Sequence, residues 1–554
     1  ETEAMAQHLA NSEAVAKEFN TRLVSEFESE LEKAMHAQLN HLPHTQQAMS
    51  AESTLPPHDI MEQWLGKYCG LSLYLRETTP HVFQDFSRVY MACESQCFRT
   101  ELQRVFGVAT QQVARSEGIA RQGSLRRGGA SAGTGPPAAG SASDGMPGAT
   151  LQRILASLLP RVTEEHAFLA DLLQINDDTL TFADYMDLEP YFKHRAAVTM
   201  ALATESPQQA MDRALQQIFS VMVPELDSFV SHVAQQNIWS VVGMLVETEL
   251  AQRALQQRPG GAAVSQLLNK NTTRLHTELS RLIHTQLQAV EQTKVTAKKR
   301  EGILPIFQSF PTFVRRMEAQ LGEADTLPVR EAVDHGYERI ARGMMAAVQS
   351  IPQAGAIDDD KGQLNHHVIL IVNVYHLCTR VRPGTPPNQA LLRVQQQAQT
   401  LLESSQHGYV KTMLRRPLGK VVDFGNGIDA LLSTTPATEV ALHSSYSRAA
   451  VKKLVRDFTM KDVRKCVEAL SKRMQKHFDD DDASMTTSGA LARDELADVL
   501  AQVWHATEDA FVAEVERLGR ILHACYPQSG LHLDVSAQDV VRLFQTQAPT
   551  IRRR

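Results

Sequence analysis

The chain has 554 residues, of which 43% are hydrophobic, 21% charged and 6% aromatic; that is material for several cores, since single cores stop growing near ~250–300 residues. Its net charge of −7 excludes a chain built around a global nucleic-acid field, and 29 Gly with 23 Pro exclude a fibrous or wholly disordered one. Six cysteines, at 69, 93, 97, 378, 466 and 525, are too few and scattered for a disulfide scaffold, so a reducing, cytosolic chain is expected.

The chain opens on Glu1 rather than Met, so a piece of something longer is expected. Its first residues, Glu-Thr-Glu-Ala, offer neither the basic nor the apolar stretch of a signal peptide. From residue 3 to 40, Met5, Leu9, Val15, Phe19, Leu23, Phe27, Leu31 and Met35 recur mostly three or four apart. That spacing predicts a long amphipathic helix. Between Gly118 and Gly148 stand nine of the glycines with Pro136, Pro137 and Pro147, and mostly Ala and Ser elsewhere. Such a stretch cannot bury enough apolar surface to offset its ordering entropy, so 116–149 is expected to be a flexible insert.

Residues 206–235 and 261–299 have helical period again. The densest apolar run, Val368–Val372, is five residues long, far short of the ~20 of a membrane-spanning helix. It continues through Asn373-Val-Tyr-His-Leu with helical spacing, which predicts a buried helix. Thr459 with Asp462, and Ser536 with Asp539, have the cap-then-acid spacing of a helix start. Residues 488–526 repeat the helical pattern with Leu496, Val499, Leu500, Val503, Trp504, Phe511, Val512, Val515, Leu518 and Leu522. Strand signals are weak: Val368–Val372, already read as helix, and Leu531–Asp534 are the only short candidates. No repeat of fixed period is present, which excludes the common solenoids. The expected fold is all-α, an elongated rod of consecutive helical bundles. Its segments are 1–115, the insert 116–149, 150–300, 301–405 and a C-terminal bundle 406–554.

Catalysis needs convergent polar groups, and the chain has none of the common strings for them. Cys93 and Cys97 stand one helical turn apart, but no second Cys or His pair has zinc spacing, so they are expected in a core. Adjacent His366 and His367 point different ways on a helix and predict no metal site. Asp423-Phe424-Gly425 lacks the other kinase elements, and Asp479–Asp482 lacks the alternation and glycine of a calcium loop. No metal, cofactor or enzymatic activity is expected.

One charge pattern calls for a partner. Arg448, Lys452, Lys453, Arg456, Lys461, Arg464, Lys465, Lys472, Arg473 and Lys476 face only three acids, at 457, 462 and 468. A solvated face or an ion-paired subunit contact is one reading. Anionic lipid, worth ~1 kcal/mol per charge near the surface, is the other. Nucleic acid is not expected, because no stacking aromatics are interleaved. Lys298-Lys299-Arg300 is a smaller cluster, and Ser124 between arginines is a candidate for phosphorylation.

These residues carry a resemblance. Lys298-Lys-Arg-Glu-Gly-Ile-Leu-Pro-Ile-Phe-Gln-Ser-Phe-Pro-Thr-Phe313 resembles a basic segment followed by an aromatic helix in the exocyst complex component 1 family, the Sec-three type subunit. Tyr409-Val410, Arg416-Pro-Leu-Gly-Lys420, Lys476-His477, Val503-Trp504-His505 and His523-Ala-Cys-Tyr-Pro527 follow in family order. Upstream, Leu71–Phe106, with Arg99-Thr-Glu101, and Glu164-Glu-His-Ala-Phe168 are similar too, with His166 in place of the usual Gln. The resemblance implies a stack of helical bundles of the tethering-complex (CATCHR) type. It also implies a non-catalytic exocyst subunit, at the cytoplasmic side of secretion sites, tethering secretory vesicles to the plasma membrane before SNARE-driven fusion. Other exocyst subunits would be its partners, with small GTPases and the SNARE machinery beyond them. In the family, an N-terminal domain binds phosphoinositide and Rho-type GTPases ahead of a coiled coil. That domain is not recognisable here, and 1–40 corresponds to the end of the coiled coil or the first bundle helix. The alternative is a peripheral membrane adaptor binding anionic phosphoinositides through 448–476.

Overall fold

Helical periodicity becomes helix along nearly the whole chain. The computed structural model describes residues 2–40, 54–127, 147–174, 180–193, 206–293, 302–322, 324–350, 360–384, 387–478, 493–527 and 529–549. Among them every regular element is a helix. The expected class, all-α, is the observed one. The chain divides into two compact units, Glu1–Leu282 with Met317–Ala332, and Ile283–Arg316 with Val333–Arg554. The expected segment boundaries do not follow this division, because Met317–Ala332 returns to the first unit after the expected break at 300.

In the first unit, α1 (Thr2–Asn40), α2 (Asp59–Leu65), α3 (Cys69–Thr78) and α4 (Pro80–Arg127) surround an aromatic centre. The second half of α1 buries Leu23, Phe27, Leu31 and Ala34 at four- and three-residue spacing. Phe27 stacks on Phe86 of α4 with centroids 3.9 Å apart and meets Tyr68 edge-on at 5.0 Å. The first half continues the stripe, yet Met5, Leu9 and Val15 are 73%, 63% and 68% exposed. Periodicity announces a face and does not supply the surface that covers it. Helix α4 runs to Arg127 and α5 (Pro147–Leu172) starts at Pro147, so both ends of the expected insert belong to helices. A proline at a helix start, where its missing N–H has no bond to lose, explains the second; residues 128–146 lie outside the described ones. Past α5 comes the short α6 (Phe182–Tyr185), which begins in a Thr181–Asp184 capping box.

The stretch 206–235, helical in period throughout, forms two helices, α7 (Pro207–Phe219) and α8 (Met222–Gln236). Pro224 has no N–H to continue the ladder across Ser220–Val221, so the chain restarts there. Then α9 (Val241–Gln256) packs on α5 where Gly148 and Gly243 bring the two backbones together. A Cβ on Gly148 would stand 3.3 Å from the Gly243 carbonyl carbon. Gly260, at φ +69°, turns the chain into α10 (Gly261–Glu291). Such a backbone is open to glycine at little cost.

In the second unit, α11 (Pro305–Leu321, up to Arg316), α12 (Pro328–Gln349, from Val333) and α13 (Asp360–Arg380) precede the long α14 (Gln389–Leu432). Val368–Val372 lies in α13, buried as expected. Asn373, which ends that run, is fully buried and holds the start of α11: its Oδ1 accepts from the Leu304 N–H at 2.7 Å and its Nδ2 donates to the Ile369 carbonyl at 2.8 Å. Short helices α15 (Arg448–Arg456) and α16 (Met460–Phe478) lead to α17 (Arg493–Cys525) and α18 (Ala537–Thr546). Trp504 of α17 is 3% exposed, lies 4.6 Å from Phe544 of α18 and donates its indole N–H to the Phe544 carbonyl at 3.2 Å. Ser536 and Asp539 form the expected capping box. The strand candidate 531–534 is irregular chain, since no neighbour offers it a ladder.

Candidate functional site

The basic face stands on α15 and α16. On α16, Val463, Val467, Leu470, Met474 and Phe478 fall three or four apart and are buried, as is Val451 on α15, which turns the residues between them outward. Arg448, Lys452, Lys453 and Arg456 on α15, and Lys461, Arg464, Lys465, Lys472 and Lys476 on α16, are exposed; Arg473 is half-buried. Leu454 and Val455 are half-buried, because nine-residue α15 is too short to bury a full stripe. Arg456 approaches Asp457 at 3.9 Å. The Thr459 hydroxyl donates to the Asp462 carboxyl at 2.6 Å, holding it below the usual carboxylate range, and accepts from the Asp462 N–H at 3.4 Å, so Thr459 caps α16. Lys452, Lys453, Lys461, Arg464, Lys465 and Lys472 are exposed to solvent, and the field of such a face reaches about 8 Å at physiological salt. Such a face attracts anionic surface, whether a row of carboxylates or lipid headgroups. Ser124 lies on α4 without a described side chain, and Lys298–Arg300 and Asp479–Asp482 lie outside the described residues.

His366 is buried and His367 half-buried, and burial pushes both rings to lower pKa, His367 to about 4 with help from its neighbour. No other possible ligand joins them among the described residues. Cys97 is buried and Cys93 half-buried. Their thiols are pushed up, chiefly by burial.

A second constellation escaped sequence reasoning. His58, just before α2, is buried with both ring nitrogens facing carboxylates of α4. Nδ1 meets Glu94 Oε1, and Nε2 lies 3.0 Å from Glu101 Oε2. Gln38 of α1 reaches Glu101 Oε1 at 3.5 Å and donates to the Pro57 carbonyl at 2.8 Å. Glu165 of α5 accepts from the Tyr90 hydroxyl at 2.8 Å. All three glutamates are buried, at 1%, 1% and 4% exposure. Burial opposes charge on His58, but Glu94 and Glu101 outweigh it and hold its pKa well above the ordinary value. Burial, then the Glu94 charge, pushes the Glu165 carboxyl well up. The signal was present: Tyr90, Glu94, Cys97 and Glu101 recur at four, three and four, which places two carboxylates on an apolar stripe. His58 and Glu165 are 36 and 71 residues from Glu94 in sequence, so only the fold unites them.

Comparison with known proteins bears on which of these matters. Residues 172–528 match the family model of the exocyst complex component Sec3, C-terminal. Exocyst complex component 1 of Drosophila melanogaster is 21% identical over 531 residues, covering 90% of this chain and 56% of that protein. The Mus musculus protein of the same name is 20% identical over 396 residues, 70% of this chain and 41% of that one. The chain thus spans about half the length, or less, of these curated relatives. A solved structure described under "The structures of exocyst subunit Exo70p and the Exo84p C-terminal domains reveal a common motif" is similar at TM-score 0.47 and 10% identity, over 97% of this chain and 88% of that one. With the family model covering well over half of the residues, this chain belongs to the family of exocyst complex component Sec3, C-terminal.

Proposed function

We propose that the chain is a non-catalytic subunit region of the exocyst, and that it helps tether secretory vesicles to the plasma membrane before SNARE-driven fusion. The family match over 172–528 carries the reading. The physics is compatible with it: amphipathic helices bury one stripe each and leave charged faces for partners. On this reading α15 and α16 contact another exocyst subunit through Lys452, Lys453, Lys461 and Lys465, with small GTPases and SNARE proteins acting on the assembled complex. The cytoplasmic face of secretion sites is where such a region works. No described helix is long and apolar enough to cross a membrane.

Nine exposed cations on two adjacent helices also favour a second reading, in which the same face rests on phosphoinositide membrane. Charge reversal of Lys452, Lys453, Lys461 and Lys465 to Glu separates the two. The expected outcome is loss of co-purification with exocyst subunits, while binding to phosphoinositide liposomes at physiological salt is weak in the wild type and changes little. Strong liposome binding in the wild type, lost in a variant that still assembles, would favour the membrane adaptor.

A further inference from the structure

The buried constellation around His58 has a charge problem. Three carboxylates converge on one imidazole, and all four side chains are withdrawn from water. A buried charge left unpaired costs several kcal/mol, so such clusters lose charge or gain a counter-ion. A proton on His58 answers one carboxylate only.

Two observations point to a cation rather than further protons. First, ligand atoms of His58, Glu94 and Glu165 all lie within 4.8 Å of one another, contributed by the segment before α2, by α4 and by α5. Second, Glu94 Oε2 is buried with no hydrogen-bond partner among the described residues. A buried carboxylate oxygen without a donor is rare in a folded protein unless something else occupies its lone pairs.

The surroundings have the form that metal-bound histidines require. The far ring nitrogen of a ligating imidazole donates to a carboxylate or carbonyl, which fixes the tautomer and raises the basicity of the near nitrogen. Here Nε2 faces Glu101, Gln38 lies against the other oxygen of Glu101, and Tyr90 orients Glu165. The near nitrogen, Nδ1, faces Glu94.

We propose that His58 Nδ1, Glu94 and Glu165 bind one zinc ion, with Glu101 and Tyr90 as the outer groups that orient them. Zinc takes both imidazole nitrogen and carboxylate oxygen as ligands, and three protein ligands leave a fourth position for water. Neutral His58 with the Glu94 and Glu165 carboxylates balances the divalent charge, which leaves Glu101 as the one uncompensated carboxylate, facing His58 Nε2 and Gln38. The ion ties α4 and α5 to the segment entering α2, so its binding energy is also folding energy. An alternative set, His58, Cys97 and Glu101, also has its ligand atoms within 4.8 Å of one another. It would use up the outer carboxylate and leave the Glu94 oxygen unpartnered, so the first set is preferred.

The test uses the full chain, purified without chelator and dialysed. Elemental analysis should find close to one zinc per chain. After metal removal, added zinc should raise the melting temperature. Cobalt(II) in place of zinc should give weak d–d bands without a thiolate charge-transfer band. Glu165→Gln, which removes a ligand, should retain zinc more than ~tenfold less well, since loss of an orienting partner alone costs ~10–100-fold. A wild-type chain with no retained zinc and no thermal response to micromolar zinc overturns the site and leaves a protonated ionic network. A thiolate band overturns the ligand assignment in favour of Cys97. Equal zinc retention by Glu165→Gln places the metal elsewhere and also overturns it. If that variant does not fold, the wild-type stoichiometry and cobalt spectrum still decide.

Discussion

Asn373 shows how one polar side chain directs a core. It follows five apolar residues and is fully buried, yet its amide is spent on backbone: it accepts from Leu304 and donates to Ile369 and, at 3.3 Å, to the Gly302 carbonyl. Those bonds set where the chain enters α11. Asn373→Leu would add apolar volume and leave the Leu304 N–H and the Gly302 carbonyl without this partner. Each buried group so orphaned costs ~1–3 kcal/mol, so the expected loss is about 2–4 kcal/mol in urea unfolding. A loss well below 1 kcal/mol would mean that water reaches the 302–304 turn. The sequence displays Asn373 as a break in a hydrophobic run; only the fold displays its partners.

Elements meet where small residues let them. At the turn from α9 into α10, a Cβ on Gly261 would overlap the Leu255 carbonyl oxygen and come within 2.7 Å of its carbon. That carbonyl is already engaged, accepting from Arg258 at 2.9 Å, so it cannot swing aside freely. Alanine would gain up to ~1 kcal/mol of helix propensity and lose ~1–3 kcal/mol to overpacking. Gly261→Ala should therefore lower the denaturation midpoint, and a stabilised variant would show that the turn relaxes. The α13 helix carries a pH dependence. Unfolded, the His367 ring titrates near ~6.5; folded, burial and neighbouring His366 bring it to about 4. Between those values the unfolded chain binds the extra proton. Stability should accordingly be full above pH ~6.5 and fall as pH drops towards 4, by about 1–2 kcal/mol once partial exposure is allowed for. His367→Asn should flatten that slope when unfolding is followed at pH 7 and pH 5.

At the scale of the whole chain, Met317–Ala332 completes the first unit. Leu321, Ala324, Leu327 and Val329 are buried there. The Val329 N–H donates to Glu249 Oε2 at 3.0 Å, while His276 Nε2 holds Glu249 Oε1 at 2.8 Å. A fragment ending at 300, the boundary that composition suggests, would strip those apolar groups away and leave Glu249 half-satisfied. On transfer energies of ~1.5–3 kcal/mol per large apolar side chain, the deficit is on the order of 5 kcal/mol. A fragment 1–332 should melt cooperatively and at higher temperature than 1–300; equal melting would show that the returning segment contributes nothing.

Helix class, the long α1, the buried character of Val368–Val372, the Ser536 capping box and the outward cations of 448–476 were all legible in the sequence. Each depends on neighbours three or four residues away, and periodicity of 3.6 encodes that range directly. The family resemblance was legible for a different reason, the order of short motifs along several hundred residues. Which half of the α1 stripe is covered was not legible. Nor was the return of 317–332, or the meeting of His58, Glu94, Glu101 and Glu165. These depend on contacts between residues tens to more than a hundred positions apart. No local pattern specifies them, because burial of a given stripe is decided by whichever distant element arrives to cover it.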